Sequence, residues 1–314
     1  MGEVSNSSSN KVAIIGAGHV GSTAAYSLML DGIVSQISLI DINKEKAEGE
    51  ALDLCHGMQF TKSAKITAGD SFELVKNAKI VVLCAGVAQK PGGQTRLDLL
   101  EKNTEIFKDM IPKIVQYNKD CILLVVTNPL DTLTYLTWKL SDFPSCRVFG
   151  TGTVLDTSRF RYLLGRHFKI SPKDINAYIL GEHGDSEFAW WSGANVAGIP
   201  IKNLKNYSQD SMDKIFEEVK NAAYEVIEKK GATFYAIALV ISKIVRAILT
   251  DQFRVMTVSS VLQNYNGVDN VCISVPTVIR KSGICEKLEV SLDEKERENF
   301  EFSANKIKES IKKT

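Results

Sequence analysis

Two groups of residues in this chain have types and spacings that suit chemistry, and the first is a glycine-rich turn. An apolar run at residues 12–15 leads directly into Gly16-Ala17-Gly18-His19-Val20-Gly21. In such a turn the first glycine permits a tight change from strand to helix, the second lets the backbone approach a pyrophosphate, and the third lets the helix pack closely. The helix start then offers unpaired N–H groups to phosphate. The pattern therefore predicts a dinucleotide-binding turn.

An acidic residue strengthens this prediction. Asp41 follows Gly21 by twenty residues and closes a second apolar run at residues 37–40. A carboxylate at that point accepts hydrogen bonds from the adenosine ribose hydroxyls and repels a 2′-phosphate, so we expect NAD rather than NADP. Glycines also serve ordinary turns, and the prediction depends on strand, turn, helix, second strand and acid occurring in register.

The second group combines a histidine, an acid and an arginine in the later part of the chain. His183 lies in Gly181-Glu182-His183-Gly184-Asp185, directly after an apolar run at 177–180. A ligand can reach a histidine in such a turn, and its proton exchange falls in a useful pH range. Asp156 and Arg159 are three residues apart and share one face if their segment is helical. A plain loop histidine and a surface ion pair are the alternatives.

Two further positions follow apolar runs, where open α/β sheets bind their ligands. Gly86 follows the run at 80–84 and is expected to border the cofactor cleft. Asn128 follows the run at 122–126, where its amide can face cofactor and substrate. Because Asn128-Pro129 is also a common turn pair, a simple turn remains the alternative.

The elements that position these residues alternate in the first half of the chain. Short apolar runs at 12–15, 37–40, 64–67, 80–84, 122–126 and 148–149 are separated by helical stretches. Runs that are apolar on both faces predict an α/β fold with a doubly wound parallel sheet, of the Rossmann type. We expect a mobile tail at residues 1–10, an NAD-binding domain at 11–150 and an α+β substrate domain at 151–314.

The second half has a different pattern, in which strand and helix no longer alternate. It predicts a helix at 155–164, a strand at 177–180 and a helical stretch at 209–249 that breaks at Lys230-Gly231. The part after the break is apolar nearly all round, so we expect it to be buried, against another subunit as one alternative. Runs at 271–279 and 284–290 predict a hairpin, and Ser291 with Glu294 predicts a capping box on the last helix.

Composition excludes several classes of function. The 38 Lys and Arg residues balance 37 Asp and Glu, so the net charge of +1 gives no general attraction to nucleic acid or anionic membrane. No apolar run approaches a membrane span, and residues 1–10 lack a signal-peptide core. The six cysteines are scattered without zinc-ligand spacing, so we expect no metal, reduced thiols and a cytoplasmic protein with a small-molecule partner.

Together these segments occur in the order and approximate spacing of the lactate/malate dehydrogenase family, which the chain resembles over nearly its whole length. The segments are 16–21 with Asp41, 85–92, 96–99, 127–129, 155–159 and 181–185. The similarity is greatest to the bacterial lactate-forming members. It implies reversible hydride transfer between NADH and pyruvate to give L-lactate, in a homotetramer or, less often, a dimer.

The resemblance also implies a role for each reactive side chain. His183 as imidazolium gives the carbonyl oxygen its proton, and Asp156 holds and stabilises that imidazolium. Arg159 grips the substrate carboxylate in a two-pronged pair, which suits a planar guanidinium. Arg96, on a mobile loop, polarises the carbonyl when the loop closes, and Asn128 hydrogen-bonds near it.

Two other features concern the pocket wall and regulation. Thr233 resembles the family's small polar residue lining the pocket, and it is also a candidate helix N-cap.

Members activated by fructose 1,6-bisphosphate carry an arginine and a histidine at an interface phosphate site. Arg161 matches the arginine, but Asn176 stands at the histidine position. We therefore expect weak or absent activation.

Substrate choice in the family depends on one position of the closing loop, which is Gln89 here. A glutamine accompanies pyruvate and an arginine accompanies oxaloacetate, because a second carboxylate in a closed pocket needs a second cation. The segment from Gln89 to Arg96 is one residue longer than the usual bacterial pattern, and Lys90 is an alternative inward-facing residue. Malate dehydrogenase, another L-2-hydroxyacid dehydrogenase and a non-catalytic dinucleotide-binding protein are the remaining alternatives.

The substitution Gln89→Arg tests this assignment. It should raise oxaloacetate turnover and depress pyruvate turnover, because the guanidinium pairs with the distal carboxylate but stays buried and unpaired against a methyl group. We expect the ratio of the two kcat/KM values to change about a hundredfold or more, measured by NADH oxidation. A variant that keeps its pyruvate preference within a fewfold places Gln89 away from the substrate, and Lys90 or Gln94 is then the residue to test.

Overall fold

The computed structural model describes residues 10–87 and 96–314, apart from the side chains of residues 96–98. Gln89 and Lys90 lie outside the described residues, and so does the predicted tail except for its last residue. The expectation that Arg96 lies on a loop is wrong for its backbone, which begins a helix.

The first half of the chain forms a parallel sheet in the order β3-β2-β1-β4-β5-β6. The strands are β1 (Lys11–Ile15), β2 (Gln36–Ile40), β3 (Lys65–Gly69), β4 (Ile80–Leu83), β5 (Ile122–Val125) and β6 (Val148–Gly150). The helices are α1 (His19–Asp31), α2 (Lys44–His56), α3 (Arg96–Tyr117) and α4 (Leu130–Ser141). The predicted doubly wound sheet is confirmed, with its third strand beginning one residue later than expected.

Both faces of this sheet are covered by helices, as the apolar runs require. On β1, Val12 and Ile14 belong to one core cluster, while Ala13 and Ile15 belong to the other. Buried residues of α1 and α2 belong to the first cluster, and those of α3 and α4 belong to the second. Burial on both faces is the physical reason why these strands lack the apolar–polar alternation of a half-exposed sheet.

The second half contributes four helices and the remaining strands. The helices are α5 (Val154–Phe168), α6 (Gln209–Lys230), α7 (Tyr235–Leu249) and α8 (Glu294–Ile311). The strands are β7 (Ile175–Asn176), β8 (Ile179–Leu180), β9 (Phe188–Ala189), β10 (Asn195–Val196), β11 (Ile199–Pro200), β12 (Arg254–Val261), β13 (Cys272–Arg280) and β14 (Gly283–Lys287).

Three of these strands extend the first sheet. β12 runs antiparallel to β6 where Ser259 faces Gly150, and β13 and β14 follow it as the predicted hairpin. The described residues thus form a nine-stranded sheet that is parallel at one end and antiparallel at the other. The two halves of the chain share one continuous hydrogen-bonded layer.

Helix α7 packs against α1 and completes the core on that face of the sheet. Arg246 of α7 forms an ion pair with Asp31, the last residue of α1, and Ser242 donates to the same carboxylate at 3.2 Å. The predicted burial of this segment is confirmed for most of its apolar residues. Tyr235 and Leu239 are each 66% exposed, so one edge of the helix is left uncovered.

The expectation of one strand at residues 177–180 is wrong. The chain forms β7 and β8 instead, and these belong to different small sheets, with β7 beside β10 and β8 beside β9. Between them the chain changes partners at Ala177 and Tyr178, and the carbonyl of Tyr178 accepts from the N–H of Trp190 at 3.0 Å. A continuous apolar run does not reveal this change of pairing.

The expected capping box at Ser291 and Glu294 is also wrong, since the box lies two residues later. Asp293 accepts from the N–H of Glu296 at 2.8 Å, and Glu296 accepts from the N–H of Asp293 at 3.0 Å. Glu296 is buried and also accepts from the backbone and hydroxyl of Ser192, at 2.8 and 2.6 Å. This tertiary contact selects Glu296 over Glu294 as the N3 residue.

All six cysteines lie in the described part of the chain and are free thiols. Burial raises the pKa of Cys84 and of Cys121 to about 12, so neither is a reactive thiolate. Within residues 10–87 and 96–314, no helix combines the length and the apolar character that crossing a membrane requires.

The capping box gives a stability prediction. Asp293→Ala should lower the free energy of unfolding by about 1 kcal/mol, because the N–H of Glu296 loses its acceptor. Ser291→Ala is the matched control and should change stability by less than about 0.5 kcal/mol. Urea unfolding of both variants at one protein concentration measures the difference. A larger loss in Ser291→Ala would restore the original assignment of the cap.

Candidate active site

The glycine turn between β1 and α1 is shaped by contacts that only glycine permits. Gly16 has a φ of +100°, and a Cβ there would lie 2.7 Å from the backbone N of Ala85, in the segment after β4. A Cβ on Gly21 would overlap the carbonyl oxygen of Gly16, so this glycine brings α1 against the turn. These two glycines are therefore required by packing within the chain itself.

Gly18 is different, because the fold itself does not require a glycine there. It is the N-cap of α1, no side chain caps this helix start, and a Cβ at Gly18 would meet nothing within 4 Å. Open space beside uncapped N–H groups suits a phosphate that approaches the backbone. The exposed ring of the next residue, His19, stacks on Phe234 at 5.2 Å between centroids.

Asp41 is held beside this turn. Its carboxylate accepts from the N–H of Ala17 at 2.7 Å and from the N–H of Asn43 at 2.9 Å. The side chain is only partly buried, so lone pairs remain for a ligand's hydroxyl groups. Gly16, Gly18 and Asp41 together form a site that fits a dinucleotide.

Gly86 is explained by its neighbours after β4 and β5. A Cβ on Gly86 would overlap the methyl of Thr127 and lie 3.0 Å from Oδ1 of Asn103. Asn103 is fully buried in α3, accepts from the N–H of Val87 at 2.7 Å and donates to the carbonyl of Asn128 at 2.7 Å. Asn103 was not predicted from the sequence, and it connects the Gly86 and Asn128 segments.

The histidine, acid and arginine of the second half meet as one cluster. Nδ1 of His183 lies 2.7 Å from Oδ2 of Asp156, and Nη1 of Arg159 donates to Oδ1 of Asp156 at 2.7 Å. The Asp156 side chain is only 3% exposed, and that of Arg159 is 17% exposed. The alternatives of a surface ion pair and an isolated loop histidine are both wrong.

Helix α5 and the end of β8 create this geometry. Asp156 lies in the first turn of α5, where a carboxylate is favoured by the helix dipole, and Arg159 follows one turn later on the same face. His183 follows β8 in the chain, beyond a left-handed Gly181 whose backbone pairs with that of Ser274 in β13.

A second buried acid, Asp131, fixes the backbone of the histidine and was not predicted from the sequence. Its Oδ2 accepts from the N–H of His183 at 2.8 Å, although the two residues are 52 positions apart. Asp131 lies in the first turn of α4, three residues after Asn128, and is 3% exposed. Burial raises its pKa to about 7. It links the Asn128 segment to the histidine loop.

A cavity of about 270 Å³ opens onto this cluster from the turn after β5 and from α6 and α7. Its lining includes Val20, Asn128, Asp156, Arg159, His183, Glu187, Lys220, Tyr224, Thr233 and Ile237. Thr233 is thus part of the cavity wall. Its expected second role as a helix N-cap is wrong, because α7 has Phe234 at its N-cap position and no side-chain cap.

The charges of the cluster set its protonation. Burial alone would lower the pKa of His183, but the adjacent Asp156 carboxylate outweighs it and raises that pKa to about 9. Burial opposes ionisation of Asp156 as well, yet His183 and Arg159 hold its pKa below the usual range. At neutral pH the imidazole is therefore a cation beside an ionised partner, while its Nε2 is left for the cavity.

A doubly wound sheet with a dinucleotide turn, beside a paired histidine, aspartate and arginine, defines the class of nicotinamide-dependent dehydrogenases. Family profiles agree with this class. Residues 10–150 match the lactate/malate dehydrogenase NAD binding domain, and residues 153–314 match the lactate/malate dehydrogenase alpha/beta C-terminal domain. The chain belongs to the lactate/malate dehydrogenase family, and its cofactor is NAD.

Individual relatives are similar over almost their full length. The chain is 52% identical to an L-lactate dehydrogenase of Acetivibrio thermocellus, with 96% of each chain covered. It is 49% identical to L-lactate dehydrogenase 1 of Clostridium acetobutylicum, with 96% of this chain and 97% of the other covered.

Solved structures give the same result for the fold. A minor L-lactate dehydrogenase from Enterococcus mundtii, solved in a ligand-bound form, superposes with a TM-score of 0.93 at 40% identity and covers 97% of this chain. A lactate dehydrogenase from a Medee basin deep-sea metagenome also superposes with a TM-score of 0.93 at 40% identity. These superpositions cover 98% of each solved chain.

The position of Asp41 gives a prediction about cofactor preference. Asp41→Ser should weaken NADH use and relax discrimination against NADPH, because the charge that repels a 2′-phosphate is removed. Asp53→Ser, at an exposed position on α2, is the control and should leave the preference unchanged. The ratio of kcat/KM for NADH and NADPH measures the effect, and an unchanged ratio in Asp41→Ser would separate Asp41 from the ribose.

Proposed function

We propose that this protein is an NAD-dependent L-lactate dehydrogenase that catalyses reversible hydride transfer between NADH and pyruvate. The observation that carries the proposal is the cluster of His183, Asp156 and Arg159 at a cavity that also reaches Val20 of the dinucleotide-binding helix. One wall of this cavity thus belongs to the cofactor half, and the other carries a proton donor and a cation.

The residues proposed to hold the cofactor lie around the carboxyl ends of the parallel strands. They are Gly16, Gly18, His19, Val20, Gly21, Asp41, Gly86 and Asn128. Gly18 offers the open space for the pyrophosphate, and Asp41 takes the ribose hydroxyls. When bound, NADH supplies the hydride, and proton transfer, substrate binding and exclusion of water fall to side chains of the chain.

His183 is the proposed proton donor. Because its Nδ1 is engaged by Asp156, its Nε2 gives the proton to the carbonyl oxygen during reduction and takes it back during oxidation. A pKa of about 9 keeps the imidazole charged at neutral pH, which favours reduction of the keto acid. Asp156 stabilises this charge and fixes the orientation of the ring.

Arg159 is the proposed carboxylate ligand. One of its nitrogens is bound to Asp156, and the guanidinium lines the cavity with donors left for a planar carboxylate. Asn128 and Thr233 line the same space and are proposed to orient the substrate. Arg96 is proposed to polarise the substrate carbonyl.

Pyruvate rather than oxaloacetate is the proposed substrate because Gln89 carries no charge. The names of the Acetivibrio and Clostridium relatives support this choice. A malate dehydrogenase or another L-2-hydroxyacid dehydrogenase is the second candidate, favoured by the additional residue in the sequence between Gln89 and Arg96. The buried charged cluster of His183, Asp156 and Arg159 argues against a non-catalytic dinucleotide-binding protein, because binding a dinucleotide does not require it.

Assembly, location and regulation complete the proposal. A homotetramer is supported by exposed apolar side chains on helices of one sheet face, namely Tyr26, Leu30, Leu52 and Leu239.

Six free thiols support a cytoplasmic location. Arg161 donates to the carbonyl of Ala177 at 2.8 Å and stacks on Tyr178, so this arginine already has partners where an activating phosphate would need it. A cofactor domain at 11–150 and a substrate domain at 151–314 remain the proposed division.

NADH oxidation with pyruvate, oxaloacetate and ketoisocaproate tests the proposal directly. Pyruvate should be reduced fastest, and its kcat/KM should fall as the pH rises through about 9, because the imidazole loses its proton. A preference for oxaloacetate or ketoisocaproate would support the second candidate. No oxidation with any of the three would overturn the dehydrogenase function.

His183→Asn separates catalysis from cofactor binding. It should reduce pyruvate turnover at least a thousandfold while changing the Kd for NADH by less than about threefold, because the adenosine and pyrophosphate contacts lie elsewhere. Turnover rates and NADH fluorescence titration measure the two effects. Loss of NADH binding together with activity would indicate a structural role for His183.

A further inference from the structure

The buried face of helix α8 carries a serine among apolar side chains. Its buried residues are Glu296, Phe300, Ser303, Ala304 and Ile307, and Glu296 is accounted for by the capping box. Ser303 is fully buried, so its hydroxyl is withdrawn from water and needs a partner inside the protein. An alanine would fit the apolar face without that requirement. The hydroxyl therefore serves a contact other than packing.

That contact is with the turn that carries His183. The backbone N–H of Glu182 donates to Oγ of Ser303 at 2.7 Å, although the two residues are 121 positions apart. Gly181 permits this close approach, since a Cβ on it would lie 2.8 Å from the same oxygen. Helix α8 thus holds the backbone one residue before the proposed proton donor.

The neighbouring hydroxyl of Ser186 sets the direction of this hydrogen bond. Ser186 donates to Oε2 of Glu182 at 2.5 Å, which uses its only hydroxyl hydrogen. The oxygens of Ser186 and Ser303 lie 3.0 Å apart, so the hydrogen between them comes from Ser303. The lone pairs of Ser303 are then left for the N–H of Glu182. The result is a closed ring of hydrogen bonds in which each bond polarises the next.

Two consecutive N–H groups of this turn are therefore held by side chains from two different helices. Ser303 of α8 accepts from Glu182, and Asp131 of α4 accepts from His183 at 2.8 Å. The imidazole is held at its other end, where Nδ1 lies 2.7 Å from Asp156. With both the backbone and Nδ1 of His183 fixed, little freedom is left to its Nε2.

We propose that Ser303 and Asp131 are positioning residues for His183, which fix its backbone so that Nε2 meets the substrate carbonyl. The inference rests on the proposed function, because it requires His183 to be the proton donor. Neither Ser303 nor Asp131 is among the described residues that line the cavity, so both act through the histidine turn. A misplacement of about 1 Å at a catalytic group lowers a rate on the order of a hundredfold.

The substitution Ser303→Ala tests the contact from α8. Its kcat for pyruvate should fall about tenfold to a hundredfold, per site that binds NADH in a fluorescence titration. The KM for pyruvate and the Kd for NADH should change less than about threefold, because Arg159 and the glycine turn keep their contacts. Ser310→Ala is the matched control on the same helix. It removes a hydrogen bond of 2.9 Å to Thr132 and should leave kcat within about twofold of wild type.

Two substitutions of Asp131 test the contact from α4. Asp131→Asn keeps an oxygen that accepts from the N–H of His183, whereas Asp131→Ala has none. Burial raises the pKa of Asp131 to about 7, so a neutral amide is a fair replacement at that pH. The kcat of Asp131→Asn should stay within about threefold of wild type, and that of Asp131→Ala should fall about tenfold or more. Equal kcat values in the two variants would contradict a positioning role for this oxygen.

The outcomes separate this inference from the proposed function. An unchanged kcat in Ser303→Ala, or a loss of kcat together with NADH binding, would overturn its positioning role while pyruvate reduction by wild type stands. If Ser303→Ala does not fold, Ser186→Ala decides at a less buried position. It leaves the Ser303 hydroxyl without its acceptor and should lower kcat about threefold, and an unchanged kcat would again overturn the role.

A wild-type enzyme that binds NADH but reduces none of the keto acids would make both proposals wrong. A fall in kcat alone, in Ser303→Ala and Asp131→Ala but in neither Ser310→Ala nor Asp131→Asn, is the result that supports the inference.

Discussion

The ion pairs of Asp156 with His183 and Arg159 place a carboxylate that is 3% exposed between two cations. A buried charge without partners would cost several kcal/mol, so each cation stabilises the acid and is in turn fixed by it. The direction of α5, the turn after β8 and the position of the cavity all have to satisfy these two contacts. The active-site geometry is a consequence of keeping this one anion neutralised.

Other polar contacts connect this anion to the cofactor half. Asp131 and Asn128 both follow β5, where one holds the backbone of His183 and the other is bound through its carbonyl by Asn103. The same short connection therefore touches the histidine loop and the segment after β4. A displacement at the end of β5 would therefore shift residues on both sides of the cavity.

The local parts of this architecture could be predicted from sequence. The glycine turn, Asp41 and the pairing of Asp156 with Arg159 depend on residues close in the chain or on one strand–turn–helix unit. Asp131 and Asn103 could not be found in this way, because their partners lie 52 and 25 residues away and neither residue belongs to a local motif. The helix start predicted at Ser291 was wrong for a related reason. The capping box lies at Asp293, and its Glu296 is also bound by Ser192, which is distant in the chain.

Helix α7 comes from the second half of the chain but fills the core of the first half against α1, where Arg246 pairs with Asp31. Without it, an isolated piece ending at residue 150 would expose the apolar side of α1 to water. The cofactor half is thus not a self-sufficient module. A chimaera that joins the halves of two relatives at residue 150 would pair α1 of one protein with α7 of the other. A stable chimaera therefore needs α7 and the nucleotide-binding sheet from the same protein.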